Sequence, residues 1–545
     1  MNQTKKQIDR KTILKLGIIL LLAIAAGAYF RDRLMPEPER ANLEGIPQPT
    51  YMIYYGKLNS KLIRQAKQYD VVILHPKQGN LTRSQVREIQ SAGACVLGYL
   101  SIGEDLRTAG MTPEDMLKDW RFTGDGSGPR VDGREAGDES LDHVDLLGAP
   151  SPAGSGYASY YLDDNDHDGK PDFNPSFGCA YTNIGDPAWY DALQDMMMGD
   201  SGGTPGIREI LTTDYGRGLG CDGLLLDTVD TCAPNSYTDD SFPGKTRFEW
   251  TAPGVSSFLE RLRTDYPDAY ILQNRGLFFF HYQLPHFNYT TGQYIDFLLY
   301  ESYMLDSNTA SLYSEMYFQD NKNVYAPKIN AEANRPDGFR VLSLGYAEGP
   351  EEYQLKETLT GNSAAGLDIL LADLEQAQNE AGFSHYITDG ALLLTNDFVL
   401  ERTETDCLPP VWSSVHTEAW DKPPVPRVGI GQAEPVPGGM TVRWDVAVDR
   451  SGVEYTLYYQ KTPFDFAADP DLENAEKMTL IPDVGDGYQY GAGPDTWPYQ
   501  AVVENLDAGE TYYFVIRARD LSQSGHEEKT RWYWRASRCK RATDT

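Results

Sequence analysis

Acidic residues follow several short apolar runs in this sequence, and these positions are the first candidates for chemistry. In GCDGLLLDTVDTC, residues 220–232, a continuous aliphatic run ends in Asp227, and Asp230 follows shortly after it. In DFLLYESY, residues 296–303, a similar run ends in Glu301. Glycoside hydrolysis requires two carboxyl groups that flank one bond. The pattern therefore predicts a site made of carboxylates at the ends of buried strands.

Eight short apolar runs of this kind recur along the chain and alternate with segments that suit helices. The runs are YMIYYG (51–56), VVILHP (71–76), CVLGYLSIGE (95–104), GLLLDTVD (223–230), YILQNRG (270–276), DFLLYESY (296–303), FRVLSLGYAE (339–348) and FSHYITD (383–389). Helical segments include residues 84–93 and 254–268. Continuous apolar runs indicate strands covered on both faces, which is typical of parallel βα units. We predict an α/β fold, a (β/α)8 TIM barrel, with a doubly wound open sheet as the alternative.

The barrel prediction places the polar residues that end each run at one rim, because barrel enzymes carry their chemistry at the carboxyl ends of the strands. Catalytic candidates are Asp227 and Glu301. Substrate-binding candidates are polar or aromatic residues on the same rim: Tyr55, Tyr99, Glu104, Asn274, Tyr303 and Tyr346. The tyrosines are either platforms for stacking sugars or core aromatics, and Glu104 either lines the substrate groove or caps the following helix.

A metal hydrolase is less consistent with the sequence. There is no HExxH motif, and the eight histidines are scattered singly, so each is interpreted as a structural residue. We expect no cofactor in catalysis.

A different cation is predicted in an insertion between the third and fourth strands, residues 121–180. Within it, YLDDNDHDGKPDF places Asp164, Asp166 and Asp168 at alternate positions before Gly169, and Asp172 follows. Alternate acids before a glycine provide the oxygen ligands of Ca²⁺ in loops of this type. Pro175 stands where an EF-hand has its last glutamate, so we predict a structural calcium site rather than an EF-hand, with a solvated acidic turn as the alternative.

The charge of the chain restricts its partners. The 545 residues carry a formal charge of −32, whereas phosphate binding needs clustered Lys and Arg. Nucleic acid is therefore excluded as an expected partner, and a cationic partner fits better. The acidity is also explained if it serves only solubility.

The N-terminus predicts export. Basic residues precede LGIILLLAIAAGAYF, residues 16–30, and Arg31 follows it. Such a segment is either an uncleaved membrane anchor or a signal peptide, with its basic flank on the cytoplasmic side. We expect an extracellular protein, secreted or anchored, whose only membrane contact is residues 1–31; residues 32–50 form a proline-containing linker.

Exterior location makes disulfides a reasonable expectation for the cysteines. Cys221 and Cys232 bracket a predicted strand and are too far apart to pair with each other. Cys95 and Cys221 begin two strands that would be neighbours, so we predict that they pair. The pair Cys179 and Cys232 is predicted at the opposite rim. The alternative is that Cys95 is a buried free thiol.

After Cys407 the pattern changes to period-two alternation without helices, which is typical of a small β-sandwich. Over residues 423–525 it resembles a fibronectin type III domain, with Trp444 and Tyr455 on early strands and Leu506 and Tyr512 near a tyrosine-corner turn. We predict residues 51–405 as the barrel domain and residues 412–545 as this second domain.

The motifs VVILHP, VLGYLSIGED, NIGDPAWYDAL, GCDGLLLDTVD and FLLYESY occur in this order, and together they resemble glycoside hydrolase family 114, the endo-α-1,4-polygalactosaminidases. The resemblance covers about residues 50–400 and extends to hydrolases that process the cationic polysaccharide Pel. It implies a (β/α)8 barrel that hydrolyses partly deacetylated α-1,4-linked galactosamine polymers. The catalytic Asp of the family falls on Asp227 and its catalytic Glu on Glu301.

By analogy with barrels that cleave α-linkages from strands four and six, Asp227 is the expected nucleophile and Glu301 the expected acid/base, and the reverse assignment stays open. The apolar neighbours of Glu301 predict a raised pKa, as a general acid requires. We expect a monomeric glycosidase acting on a cationic or amino-sugar polysaccharide. The alternatives are a hydrolase of a different α-linked envelope glycan and an inactive surface protein that binds polysaccharide. The insertion at residues 121–180 departs from the family and leaves the substrate open.

Overall fold

The computed structural model describes residues 38, 40–124, 127–134, 147–151, 156–200, 203–238, 247–280, 287, 289–307, 319–335, 338–403, 409–412, 429–449, 451–480, 483–484, 497–522, 525–529 and 533–536. The predicted N-terminal export segment lies outside these residues. Among the helices that the structure describes, none has the length and apolar character needed to cross a membrane.

Eight parallel strands form a single sheet whose order follows the chain. They are β1 (Tyr51–Tyr54), β2 (Val71–Leu74), β3 (Cys95–Ser101), β4 (Gly223–Asp227), β5 (Tyr270–Asn274), β6 (Phe297–Glu301), β7 (Arg340–Tyr346) and β8 (Ser384–Thr388). All eight predicted strands are confirmed. The order never reverses, as it would in a doubly wound sheet, so the barrel prediction is confirmed and the open-sheet alternative is wrong.

The last strand meets the first through side chains and flanking backbone. The Tyr51 and Tyr386 rings lie 5.8 Å apart, and the Tyr55 N–H donates to the Leu392 carbonyl at 2.8 Å. Most strand residues are fully buried, because helices cover the outer face and side chains fill the inner one. The sheet is therefore a packed core that leaves only its two rims for function.

Helices connect and cover the strands. They are α1 (Ser60–Ala66), α2 (Arg83–Gln90), α3 (Pro113–Met116), α4 (Pro187–Asp195), α5 (Ile207–Leu211), α6 (Asn235–Thr238), α7 (Ala252–Asp265), α8 (Ala326–Ala333), α9 (Leu355–Leu359), α10 (Leu367–Leu374) and α11 (Phe398–Arg402). Helix α2 begins with a capping box in which Thr82 and Gln85 satisfy each other's backbone N–H groups. The predicted helices at 84–93 and 254–268 correspond to α2 and α7.

A second hydrophobic core belongs to two antiparallel sheets. Their strands are β9 (Ile430–Val436), β10 (Gly439–Trp444), β11 (Val453–Gln460), β12 (Glu476–Leu480), β13 (Asp483–Val484), β14 (Tyr499–Glu504), β15 (Tyr512–Asp520) and β16 (Trp534–Ala536). One sheet has the order β9-β10-β14-β13 and the other β12-β11-β15-β16. Trp444 and Tyr455 are buried between them, and the Tyr512 hydroxyl accepts from the Asp507 N–H. These sheets form the all-β arrangement that the alternation predicted.

The predicted disulfides are wrong for the four cysteines that the structure describes. Cys95, Cys179, Cys221 and Cys232 are all buried free thiols. Cys221 Sγ lies on the helix side of β3, beside Gly98. Cys95 faces the interior of the barrel, as Tyr99 does four positions later, because side chains alternate between the two faces of a strand. Adjacent strand ends therefore present the two thiols to opposite faces, and burial raises the pKa of both. Cys407 and Cys539 lie outside the described residues.

Candidate active site at the barrel rim

Asp227 and Glu301 are the last residues of β4 and β6, and Asn274 ends β5 between them. The Asn274 side-chain nitrogen donates to Asp227 Oδ1 at 2.8 Å and to Glu301 Oε2 at 2.9 Å. One nitrogen therefore bridges the two carboxylates, and the oxygens that it joins lie within about 6 Å of each other. That separation matches the pair of a retaining glycosidase, about 5–5.5 Å, better than the wider pair of an inverting one.

Two tyrosines complete the contacts of the pair. The Tyr99 hydroxyl donates to Asp227 Oδ2 at 2.8 Å, and the Tyr346 hydroxyl donates to Glu301 Oε1. Both rings are largely buried. Each carboxylate thus has one hydrogen bond from the shared amide and one from its own tyrosine, and these contacts hold both in fixed positions.

The chain turns sharply directly after each of the three residues. Thr228, Arg275 and Ser302 have φ values of 63°, 54° and 58°, which non-glycine residues rarely adopt. Asp230 holds one of these turns, because it accepts from Arg275 Nε and from the Gly276 N–H, both at 2.9 Å. Three consecutive barrel strands therefore end in strained turns at the same rim, as is common where side chains must be held for function.

The charge state of the pair follows from this setting. Burial, and then the negative charge of Glu301, raise the pKa of Asp227, while hydrogen bonds from Asn274 and Tyr99 oppose the shift. Both acids keep a partly exposed surface. Asp227 therefore keeps its proton to a higher pH than an isolated aspartate would. The pair can therefore offer one proton donor and one nucleophile.

Glu104 lies beside this pair on the β3 side. Its Oε1 accepts from Asn174 Nδ2 at 2.6 Å, while its Oε2 is buried without a partner. Burial raises the pKa of Glu104 to about 7, and the charge of Asp227 contributes to the shift. Glu104 does not cap a helix: it pairs with Tyr181 in a short antiparallel ladder. It is a third acid with an unused oxygen near the pair.

The predicted aromatic residues divide into two groups. Tyr55 packs edge-on against Tyr99, with ring centroids 5.3 Å apart, and His75 stacks on Tyr99 at 4.4 Å. Burial lowers the pKa of His75 to about 4, so this ring is neutral at neutral pH. Tyr303 is different, because it is 1% exposed and packs against Tyr300 and Phe383. The structure makes Tyr303 a core aromatic with no face for a sugar, which corrects its prediction as a substrate-binding residue.

The acidic loop of the insertion brings together a different set of carboxylates from the predicted one. Single carboxylate oxygens of Asp163, Asp166 and Asp172 lie within 4.8 Å of one another. Asp164 is directed elsewhere: it accepts from the Asp132 N–H at 2.6 Å and from Trp250 Nε1 at 2.5 Å. Asp168 accepts from the Lys170 N–H and pairs with its ammonium group. Two of the four predicted ligands, Asp166 and Asp172, therefore belong to the cluster.

Asn174, Asp163 and the bridging role of Asn274 were not predicted from the sequence. Asp163 carried a signal, because it directly follows the apolar run YYL and so ends a buried segment as Asp227 does. Asn174 carried none, since its partner Glu104 is 70 positions away in the chain.

Ser343, His385 and Asp373 form a chain of hydrogen bonds that contains the residue types of a hydrolase triad. His385 Nδ1 lies 2.9 Å from Ser343 Oγ, and Nε2 lies 2.8 Å from Asp373 Oδ2. All three residues are essentially inaccessible to solvent. In a catalytic triad the histidine Nε2 contacts the serine and Nδ1 contacts the aspartate. Here the two nitrogens are exchanged, because Nδ1 contacts Ser343 and Nε2 contacts Asp373. This chain of contacts is structural, in agreement with the interpretation of the histidines from the sequence.

No protein-family model matches the sequence, and no curated protein matches it. Among solved structures, the glycoside hydrolase domain of PelA from Pseudomonas aeruginosa is 16% identical, with a TM-score of 0.36 over 63% of this chain and 96% of that one. The trehalose-6-phosphate hydrolase TreA from Bacillus licheniformis is 10% identical, with a TM-score of 0.32 over 64% of this chain and 65% of that one. At TM-scores this low, the barrel assignment rests on the strand order of this chain itself.

Proposed function

We propose that this protein is a retaining glycoside hydrolase whose catalytic residues are Asp227 and Glu301. The observation that carries the proposal is the Asn274 amide, which bridges the two carboxylates at the carboxyl ends of β4, β5 and β6. A rim of this kind is where barrel enzymes place their catalytic groups. The separation of the pair suits attack by one carboxylate while the other donates a proton.

In the proposed first step, Asp227 attacks the anomeric carbon and the glycosidic C–O bond breaks. Glu301 gives its proton to the departing oxygen, so the leaving sugar departs as an alcohol and a glycosyl ester forms on Asp227. In the second step Glu301 takes a proton from water, and the resulting hydroxide displaces Asp227 from the anomeric carbon. Asp227 returns as a carboxylate and Glu301 is again protonated, so atoms and charges balance over the cycle.

The hydrogen bonds of the rim have defined roles in this scheme. The Asn274 amide and the Tyr99 hydroxyl stabilise Asp227 as the carboxylate that attacks and later departs. The Tyr346 hydroxyl orients Glu301. The raised pKa of Asp227 favours the reverse assignment, in which Asp227 carries the proton, so the roles need a direct test.

For the substrate we propose an α-1,4-linked, partly deacetylated galactosamine polymer outside the cell, cleaved internally. The family resemblance of the five motifs supports this choice, and the formal charge of −32 suits a cationic polymer. We further propose that the N-terminal segment directs export or anchors the protein, and that the chain acts as a monomer.

Release of reducing ends from partly deacetylated α-1,4-galactosaminan tests the proposal. We expect activity in the full-length chain and its loss, by at least about a thousandfold, in Asp227→Asn and in Glu301→Gln. Exposed acids provide matched controls, and Asp214→Asn and Glu352→Gln should retain full activity. A folded parent that binds the polymer without cleaving it would overturn the hydrolase and support a polysaccharide-binding protein. Cleavage only of a neutral α-linked envelope glycan would overturn the substrate.

Azide rescue decides between the two role assignments. In a retaining enzyme acting on an α-linkage, the nucleophile lies on the face of the sugar opposite the leaving group. When the nucleophile is removed, azide attacks the anomeric carbon from that face and gives the β-glycosyl azide. When the acid/base is removed, azide displaces the enzyme ester and gives the α-azide. We expect the β-azide from Asp227→Gly and the α-azide from Glu301→Gly with an activated substrate, and the opposite pattern would reverse the roles.

A further inference from the structure

We propose that Asp163, Asp166 and Asp172 bind a calcium ion and that this ion fixes residues 172–181 of the insertion, which contact Glu104. Binding of the ion does not depend on the proposed hydrolase activity. An effect of the ion on catalysis, through the segment that contacts Glu104, does rest on the proposed hydrolase function.

The loop that carries the three acids is closed at its base. The Asp172 N–H donates to the Leu162 carbonyl at 2.8 Å, and the Tyr181 N–H donates to the Asp172 carbonyl at 2.9 Å. The chain between Leu162 and Asp172 therefore leaves and re-enters the same short stretch of backbone. The closure brings the two ends of the loop together, and with them Asp163 and Asp172.

Three negative groups meet there without a compensating cation from the protein. One oxygen from each lies within 4.8 Å of the others. Within the part of the chain that the structure describes, no Lys or Arg forms an ion pair with Asp163, Asp166 or Asp172, and the nearby Lys170 pairs with Glu114 and Asp168. Repulsion among the three carboxylates opposes folding of the loop unless a cation binds.

Asp163 provides the independent evidence for a ligand. Its side chain is fully buried, at 0% exposure. Its Oδ2 accepts from Ser151 Oγ at 2.5 Å and from the Gly169 N–H at 2.8 Å, whereas its Oδ1 is buried without a hydrogen-bond partner. Burying a carboxylate oxygen without a partner is unfavourable, and a cation bound beside Asp163 would satisfy it.

The geometry favours calcium over magnesium. Calcium takes six to eight oxygen ligands at about 2.3–2.6 Å, so oxygens on opposite sides of the ion are about 5 Å apart, and magnesium demands a tighter octahedron. Asp172 Oδ2 accepts from the Asp164 and Asn165 N–H groups, and Asp166 Oδ1 accepts from the Asp168 N–H. These bonds fix two carboxylates and leave the second oxygen of each for the ion. Asp166 is exposed, so water can supply the remaining ligands.

The same segment leads directly to the candidate active site. Two residues after Asp172, Asn174 donates from Nδ2 to Glu104 Oε1 at 2.6 Å. The Asp172 carbonyl holds Tyr181, and Tyr181 pairs with Glu104 in the short ladder. Two short paths therefore connect the ion to Glu104. Loss of calcium should release Asn174 and leave both oxygens of Glu104 without a partner.

Calorimetric titration of the metal-free full-length chain with CaCl2 tests the site. We expect one calcium ion per chain, and at least a tenfold loss of affinity in Asp163→Asn and Asp172→Asn. Asp166→Asn should show the same loss of affinity and, because Asp166 is exposed, should fold even if the variants at the buried Asp163 and the half-buried Asp172 do not. Asp168→Asn is the matched control in the same loop and should bind calcium normally. No binding to the folded parent, or an equal loss in Asp168→Asn, would overturn the ligand set.

Hydrogen exchange tests the coupling without any substrate. Calcium should slow exchange in peptides covering residues 101–108 and 172–181 of the parent. In Asn174→Ala, binding should persist while protection at residues 101–108 is lost. Calcium binding without protection at 101–108 in the parent would overturn the coupling. If the chain proves inactive on every glycan, both experiments still decide the calcium proposal.

Discussion

At the residue scale, the candidate site depends on one amide that serves two acids. Asn274 donates to Asp227 and to Glu301, and a neutral donor between two carboxylates reduces their mutual repulsion without adding a competing charge. An aspartate at the same position would add a third negative group, and a leucine would leave both acids with one partner fewer. The site therefore requires a neutral hydrogen-bond donor at position 274, just as it requires carboxylates at positions 227 and 301.

Replacing Asn274 with Ala tests this role. We expect kcat to fall about 10²–10³-fold, the usual cost of removing one preorganised donor, with little change in melting temperature. Asn362→Ala, at an exposed loop position, is the control and should leave kcat unchanged. Full activity in Asn274→Ala, measured by reducing-end release, would show that the bridge has no catalytic role.

Glu104 gives a pH-dependent prediction with a defined sign. Its pKa is raised from 4.5 to about 7 in the folded chain, chiefly by burial, so the folded state holds this proton more tightly than the unfolded state does. Its contribution to stability is full below pH 4.5 and is lost as pH rises toward about 7. Glu104→Gln removes this titration. We expect the variant and parent to have similar stability near pH 4.5 and the variant to be more stable by about 1–3 kcal/mol at pH 8.

Chemical denaturation at both pH values measures this difference. A parent that gains stability relative to Glu104→Gln as pH rises would mean that Glu104 is ionised and well partnered in the folded chain.

At the element scale, the strand ends and the turns that follow them carry the site, whereas buried polar contacts hold the helices to the barrel. Helix α10 contributes Asp373, which bonds His385 on β8, and His385 contacts Ser343 on β7. The chain of contacts joins one helix to two strands inside the protein. Fully buried polar groups of this kind stabilise only while every partner is present.

Asp373→Ala should therefore destabilise the protein without altering its chemistry. We expect the free energy of unfolding to fall by about 2–4 kcal/mol, because the substitution leaves His385 without its partner in the core. Asp368→Ala on the same helix is exposed and should change stability by less than about 0.5 kcal/mol. An unchanged denaturation midpoint in Asp373→Ala would contradict the structural role. A changed pH profile of kcat in the folded variant would indicate a role in the reaction.

At the scale of the whole molecule, net charge is the property that bears on the substrate. The chain has 80 acidic and 48 basic side chains. A surface this acidic attracts a polycation over a distance set by salt, about 10 Å at 0.1 M ionic strength. Attraction of this kind increases encounter and ground-state binding and leaves the bond-breaking step unchanged.

Salt should accordingly raise KM for a deacetylated polymer and leave kcat constant. We expect a severalfold rise in KM between about 50 and 300 mM NaCl, and a much smaller rise for a fully acetylated, neutral polymer of the same linkage. Steady-state kinetics on the two polymers measure the difference. Equal salt dependence for both would show that the acidity does not serve substrate binding and would favour solubility as its role.

The sequence by itself determined the barrel and the positions of the two principal acids. Continuous apolar runs that end in Asp227 and Glu301 are local patterns, and a buried parallel strand leaves few other ways to place such residues. The same is true of the all-β region, where period-two alternation is enough to indicate two packed sheets.

Only the tertiary structure decided which side chains meet. Asn274 bridges acids 47 and 27 positions away, Tyr346 contacts Glu301 from the next strand, and Asp163 replaces Asp164 in the acidic cluster. Cys95 and Cys221 stay reduced because the neighbouring strand ends present the two thiols to opposite faces. Spacing along the chain determines which face of an element a residue occupies, whereas strand register and loop closure determine its partners.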